Sequence, residues 1–406
     1  MMLQLAWRNL WRRPTRTVLS VTSITLATLL LVFMLSFQLG TYDTMKSNAL
    51  KIFDGMAQIQ PNDYKDDPDI RKVIAAPESL SKAALSIEGV TAASPRASSY
   101  AILANGDLGY GAAIAGIDPA QESHISTLAA TIRKGRYLRV DDSDAIIMGD
   151  ALARNLKLSV GDRVTLLGSA MDGTVAADSL ELVGVFQSGL AELDRQLAEI
   201  PLVRFQESFA MEDKANIIVL SGHDLASVND ALPQLAKAAN ERGLVVRDWG
   251  ELQPALKEAI RMDMATSSFL YATLVIVVVF IILNTLLMSV LERTREFGML
   301  MAIGMRPGLA ARMLWLELIL LALIGTIIGL ILGSAVTLWA EETGIVIAGT
   351  EGLFSMWGLP ERLYPALTLT SALVGPAAIL FSVALGGLVP VMRITKLEPV
   401  TAMREG

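Results

Sequence analysis

Cysteine is absent from the 406 residues, and histidine occurs only as His124 and His223. A disulfide framework is therefore excluded, and a histidine-rich metal site has too few ligands. The absence fits an envelope domain that avoids stray disulfides, without fixing a compartment. There is no G-x-x-x-x-G-K-[ST] loop, nor even a Gly-Lys dipeptide, so no Walker A site for ATP. H-E-x-x-H and G-x-S-x-G are missing as well. The acids Asp141, Asp142 and Asp144 lack the spacing of a calcium loop and read as a solvated turn. The long apolar runs lack the recurrent acids and bases of a proton-coupled carrier. The chain is thus expected to be no enzyme and to bind no cofactor or metal of its own, with any energy supplied from outside.

What is present is apolar length. Hydrophobic residues make up 52% of the chain and the mean hydropathy is +0.48. Four blocks, residues 18–39, 269–290, 314–338 and 367–391, are each long enough to cross about 30 Å of hydrocarbon as a helix. The stretch 291–312, LERTREFGMLMAIGMRPGLAAR, joins two of them and carries Arg293, Arg295, Arg306 and Arg312. Its apolar residues run up to Gly304, and Pro307-Gly308 follow, which predicts a short helix and then a stop. Too short to span, it presents a surface that another protein can push on.

Cations set the expected orientation. Residues 1–17 hold four arginines and no acid, and the tail from Arg393 holds three cations, whereas the loop 340–366 has only Arg362 against four glutamates. Both termini and the central turn are thus expected inside, and residues 41–263 outside. That segment contains 32 acids and 22 Lys plus Arg. Its net charge of minus ten argues against nucleic acid.

Along the chain, Leu3, Trp7, Leu10 and Trp11 are expected on one side of a helix lying on the membrane, with Arg8, Arg12 and Arg13 on the other. Continuations of the first two spans past the apolar run are readable as stalks. Between them, strands are predicted at 57–60, 100–104, 112–117, 145–148, 163–167, 180–186, 216–220 and 244–247, with an Asn105-Gly106 hairpin turn. Helices are predicted at 78–87, 151–156 and 224–242, the last kinked or started late by Pro233. Gly325, Gly329 and Gly333 let another helix approach closely, with packing inside the chain favoured over a dimer seam. Gly375-Pro376 predicts a kink in the fourth span. Asn284 reads as a buried polar residue that bridges helices or lines a cavity, bridging being favoured, and Glu317 as reaching interfacial water or an arginine.

Four stretches together, LAWRNLWRRPTRT, KGRYL with DAIIMGDALARNLKLSVGDRV, RTREFGMLMAIGM and KLEPVTAMREG, resemble ABC transporter permeases of the MacB/FtsX-like superfamily, closest to the lipoprotein-releasing LolC/LolE type. The resemblance implies an α-helical membrane protein with four transmembrane helices and a large α+β periplasmic domain between the first two. Its parts would be an amphipathic helix 1–17, spans at 18–40, 264–291, 313–339 and 367–392, and a MacB-like core at 41–263 with a β-rich lobe at about 119–194. A coupling segment at 292–312, a short periplasmic loop at 340–366 and a cytoplasmic tail at 393–406 complete it. Glu296, Phe297, Gly298, Met301, Ala302, Ile303 and Gly304 would form a coupling helix seated on a separate cytoplasmic ATPase dimer, which binds the ATP and Mg. The partners implied are that ATPase, a second permease (the same chain or a sister), membrane lipid, and a lipoprotein or other periplasmic protein, in the bacterial inner membrane. The alternative is a non-transporting FtsX-like regulator that activates a periplasmic partner such as a cell-wall hydrolase.

Overall fold

A computed structural model of the chain describes residues 2–12, 14–292, 294–346, 362–388 and 391–392. Arg13, Arg293 and the KLEPVTAMREG motif lie outside the described residues. Two compact units are formed, one from residues 1–44, 259–347 and 361–406, the other chiefly from residues 45–258.

In the first unit, a short helix Met2–Leu10 precedes four helices long and apolar enough to cross a membrane. The first span helix is Pro14–Ala49, the second Pro254–Glu292, the third Pro307–Thr343 and the fourth Leu369–Gly386. Three of them begin at proline, whose missing N–H is free of cost in a first turn. The fourth begins with a capping box in which Thr368 and Ser371 satisfy each other's backbone N–H. The first two, at 36 and 39 residues, measure about 54 and 58 Å at 1.5 Å per residue, well beyond a hydrocarbon layer of about 30 Å.

The bundle core joins Ile24 and Leu31 of the first span, Val278 and Ile282 of the second, Leu318 and Ala322 of the third, and Ile379 and Val383 of the fourth. Gly325, Gly329 and Gly333 face the first span. A methyl placed on Gly329 would lie 2.6 Å from the Thr25 carbonyl oxygen, and one on Gly325 would lie 2.7 Å from Ile24 Cβ. The glycine row is therefore a contact within the chain. Pro376 does not interrupt the fourth helix. The expected burial of Asn284 is corrected: it is exposed, on the side of the second span turned away from this core.

The second unit is a mixed α/β head. Its strands are β1 (Ala57–Pro61), β2 (Ile74–Ala75), β3 (Ala92–Asn105), β4 (Leu108–Ile117), β5 (Ile132–Gly135), β6 (Ala145–Gly149), β7 (Arg163–Ser169), β8 (Val175–Phe186), β9 (Leu197–Pro201), β10 (Lys214–Ala215), β11 (Ile217–Ser221) and β12 (Leu244–Asp248). Ten belong to one sheet in the order β12-β1-β11-β3-β4-β9-β6-β8-β5, with β7 bridging β3 and β8. That bridge closes β3, β4, β9, β6, β8 and β7 into a ring. Its interior holds Leu103, Ile114, Ile146, Leu166, Leu182 and Phe205. β12, β1 and β11 continue the sheet beyond β3, and their face packs Ile59, Ile218 and Leu220 against helices Pro77–Leu85 and Leu225–Asn240, while β5 lies against β8 at the other end.

The strands within 119–194, β5 to β8, belong to the same ten-stranded sheet as β3 and β4. β9, just beyond that stretch, runs between β4 and β6 and pairs in parallel with β4. The β3–β4 hairpin turns on Gly106 and Asp107, because Asn105 still pairs with Leu108. Pro233 does not delay its helix, which is continuous from Leu225 to Asn240 and starts from an Asp224–Ser227 capping box.

Candidate functional site

Three clusters of residues stand out, each within one unit. At the arginine-rich end of the spans, helix Thr294–Ala302 forms a foot between the second and third spans. Its apolar spacing buries Met301 with Val290, Ala310 and Leu314, which fastens the foot to both spans. Gly304 has φ of +104°, a conformation that side-chain-bearing residues avoid, and it ends the helix so that Pro307 can open the next. The tight turn leaves Ile303 85% exposed, beside exposed Met299, Glu296 and Ala302.

The seven residues assigned to coupling therefore divide. Glu296, Ala302, Ile303 and Gly304 face outward, whereas Gly298 and Met301 are buried and anchor the foot. Phe297 belongs to the helix, its side chain lying outside the description. Met299, not singled out from sequence, joins the outward set; its helical spacing to Ile303 was the signal.

The N-terminal helix Met2–Leu10 packs through Ala6 and Leu10. Trp7 and Trp11 are exposed and meet edge-on at 6.3 Å, whereas Leu10, expected on the same side, is buried. Asn9 Nδ2 donates to Glu317 Oε1 at 2.6 Å, and Arg12 lies 3.9 Å from Glu296. With Arg16 these residues line a cleft of about 120 Å³. Glu317 is thereby bound into the bundle by an amide from the amphipathic helix. The spacing of either helix alone does not reveal this contact.

At the far end of the same spans, a collar joins the first two. Tyr42 donates to Asp263 Oδ2 at 2.5 Å and accepts from Gln38 Nε2 at 2.6 Å. Tyr271 donates to Gln38 Oε1 at 2.8 Å.

The third cluster lies in the head, where the first span's helix unwinds through a π-turn, Leu50–Asp54. Arg96, 1% exposed, donates to the Phe53 carbonyl at 2.8 Å and stacks its guanidinium 4.1 Å from the Phe53 ring. Ser126 donates to the Ile52 carbonyl, and the Thr127 N–H to that of Lys51, both at 2.7 Å. Around residue 250, Lys46 lies 5.5 Å over the Trp249 ring and Gln253 donates to Asp54. The helix entering the head and the short helix Trp249–Leu252 on the way out are thus tied to one another.

Arg96 also pairs with buried Glu122 at 2.5 Å, while Tyr137 donates to Glu199, likewise fully buried, at 2.9 Å. One cation serves two carboxylates. Arg96 holds Glu122, so the uncompensated member is Glu199. Burial, reinforced by the charge of Glu122, pushes it up to about 8. The same burial raises Glu122, but Arg96 pulls it back. Tyr137, buried next to Glu199, is raised as well.

No group of three His, Cys, Asp or Glu side chains able to hold a metal ion occurs among the described residues. The clusters contain anchors, clasps and a projecting tip.

Two family models cover the chain. The MacB-like periplasmic core domain matches residues 17–237, more than half of its length, and the FtsX-like permease C-terminal domain matches 268–399. The chain belongs to the MacB/FtsX-like superfamily of ABC transporter permeases. Among its curated relatives, the lipoprotein-releasing system transmembrane protein LolC of Xylella fastidiosa strain Temecula1 is 26% identical over 78% of each chain. LolC of Neisseria meningitidis serogroup B is 23% identical over 96% of this chain and 94% of its own. The extracellular domain of the transporter YknZ from Gram-positive bacteria covers 47% of the chain at 16% identity, with a TM-score of 0.36. The foot lies inside the FtsX-like match of this permease, and the Arg96 cluster inside the MacB-like one.

Proposed function

We propose that this permease is the moving half of an ATP-driven envelope machine. A separate cytoplasmic ATPase seats the foot, and its nucleotide-driven closure is carried along the first two spans to the head. The feature that carries the reading is the foot itself, an apolar tip at Ile303 held out on a helix whose Met301 is locked into both spans. An exposed apolar tip on an anchored base suits docking into a partner's groove. The nucleotide and its magnesium belong to that partner.

In this reading both termini and the foot are cytoplasmic and the head is periplasmic, in a bacterial inner membrane, following the arginine bias. The permease pairs with a second permease, and the substrate is a lipoprotein or similar amphipathic molecule. The LolC relatives support that substrate class by name and by nearly full-length coverage.

The test is to replace Ile303 with Asp and Glu296 with Arg in the full chain, then measure co-purification of the ATPase and substrate-stimulated hydrolysis. Ile303→Asp is expected to lose about 2 kcal/mol of association, close to thirtyfold in affinity, as a buried apolar anchor does. Unchanged association and stimulation in both variants would remove the foot from the interface.

A further inference from the structure

The cleft of about 120 Å³ at the arginine-rich end of the spans changes character with depth. Its outer wall carries Arg12, Arg16 and Glu296, and its inner wall Ile282, Leu318 and Leu321. Arg16 lies in the first turn of the first span's helix, which begins at Pro14, whereas Ile282 lies ten residues before the second helix ends at Glu292, about 15 Å along its axis. A headgroup layer is only about 5–8 Å thick, so the cleft begins among headgroups and ends among acyl chains. Trp7 and Trp11, exposed beside it, belong at that same boundary. The volume equals that of about four waters at about 30 Å³ each, which suits one polar headgroup and the first carbons behind it.

Between the two walls, Thr17 donates to the Leu10 carbonyl at 2.5 Å and Thr285 to the Ile281 carbonyl at 2.9 Å. Those hydroxyl protons are engaged by backbone, so the groups able to hold an anion are the two arginines. Arg12 lies 3.9 Å from Glu296, too far for a hydrogen bond, and Glu317 is held by Asn9. A ligand bearing negative charge alone would meet the Glu296 carboxylate uncompensated. One that carries a phosphate and an ammonium finds both signs, and a primary ammonium can donate to the carboxylate where a quaternary one cannot.

We propose that this cleft binds a phospholipid of the phosphatidylethanolamine type, with its phosphate on Arg12 and Arg16, its ammonium on Glu296 and its first acyl carbons against Leu318 and Leu321. The inference goes beyond the proposed function, since it requires a membrane but no ATPase. The bound lipid joins the start of the first span to the foot helix through one group.

The test uses the full chain, reconstituted in vesicles of equal parts phosphatidylethanolamine, phosphatidylglycerol and phosphatidylcholine and then extracted in detergent, with the retained lipids counted by native mass spectrometry. A single phosphatidylethanolamine per chain is expected, in excess over the other two. Arg12→Gln is expected to lower that retention about fivefold, as loss of one arginine near a headgroup should. Arg8→Gln, at an exposed arginine outside the cleft, should leave it unchanged. Glu296→Gln removes the partner of the ammonium and should shift retention toward phosphatidylglycerol. Arg12 and Glu296 are 67% and 50% exposed, so neither change threatens the fold. Retention of the three lipids in vesicle proportion, a preference of the unaltered chain for phosphatidylglycerol, or equal losses at Arg8→Gln and Arg12→Gln overturns the site. Soluble O-phosphoethanolamine should not displace the lipid, because it lacks the carbons that the inner wall accepts. Its displacement of the lipid would make a free headgroup sufficient and overturn the lipid assignment.

Discussion

Arg96 is asked to balance two buried carboxylates and can balance one, so the head keeps a proton on Glu199. Its value in the folded head, about 8, lies above the ordinary glutamate value of 4.5. The folded state then binds more protons than the unfolded chain between these limits. Stability from this group is full below pH 4.5 and is lost as pH rises through 8. Glu199→Gln keeps the protonated shape without the titration. Thermal melts of the full chain followed by tryptophan fluorescence should show a flatter pH dependence for the variant between pH 5 and 8, and an equal slope would refute the assignment. Arg96→Ala leaves Glu122 buried and unpaired, and should destabilise the head by about 3–5 kcal/mol, read as a lower melting temperature. At the foot, Gly304 has open space around it and a φ of +104°. Ala at this position should therefore act through backbone strain alone, about 1–2 kcal/mol, and reduce coupled ATPase activity without removing the permease from the membrane.

Among elements, the third span is the one whose packing a side chain disrupts most directly. Gly325, Gly329 and Gly333 lie on the first span's backbone, and at Gly329 a Cβ would meet both the Thr25 carbonyl and Thr28. Gly329→Val should separate the two helices and lower the melting temperature of the membrane unit. The equivalent change at Gly308, which has open space around it, should not. Comparison of the two melts is the check. Pro233 is tolerated inside its helix for a local reason. Pro233 and Asn229, the residue four before it, are exposed, so the carbonyl freed by the ring meets water.

For the whole molecule, the arginine bias makes a directional prediction. A reporter fused near Asp172 should be active outside the cytoplasm, and one near Arg306 inside it; reversed signals would overturn the orientation. The collar of Gln38, Tyr42, Asp263 and Tyr271 holds the first two spans together at the end away from the foot. It makes these spans one rod, as transmission by rigid elements requires.

The sequence by itself determined the number of spans, the short foot with its stop at Gly304, and most head strands, because each is encoded by local periodicity, apolar length or a glycine's conformational freedom. Strands such as β7 and β8 could be read, but their pairing could not. Ring closure depends on which distant edges meet, and β9, LAEIP, has too short an alternation to announce itself. Helical spacing did not show that Ala6 and Leu10 are the side the third span accepts. The same limit hid the Arg96–Glu122–Glu199 cluster, three charges spread over about a hundred residues of sequence that only the closed sheet brings together. It also misplaced Asn284: composition shows that an amide lies in a span, but only packing decides which side of the helix the other spans leave bare.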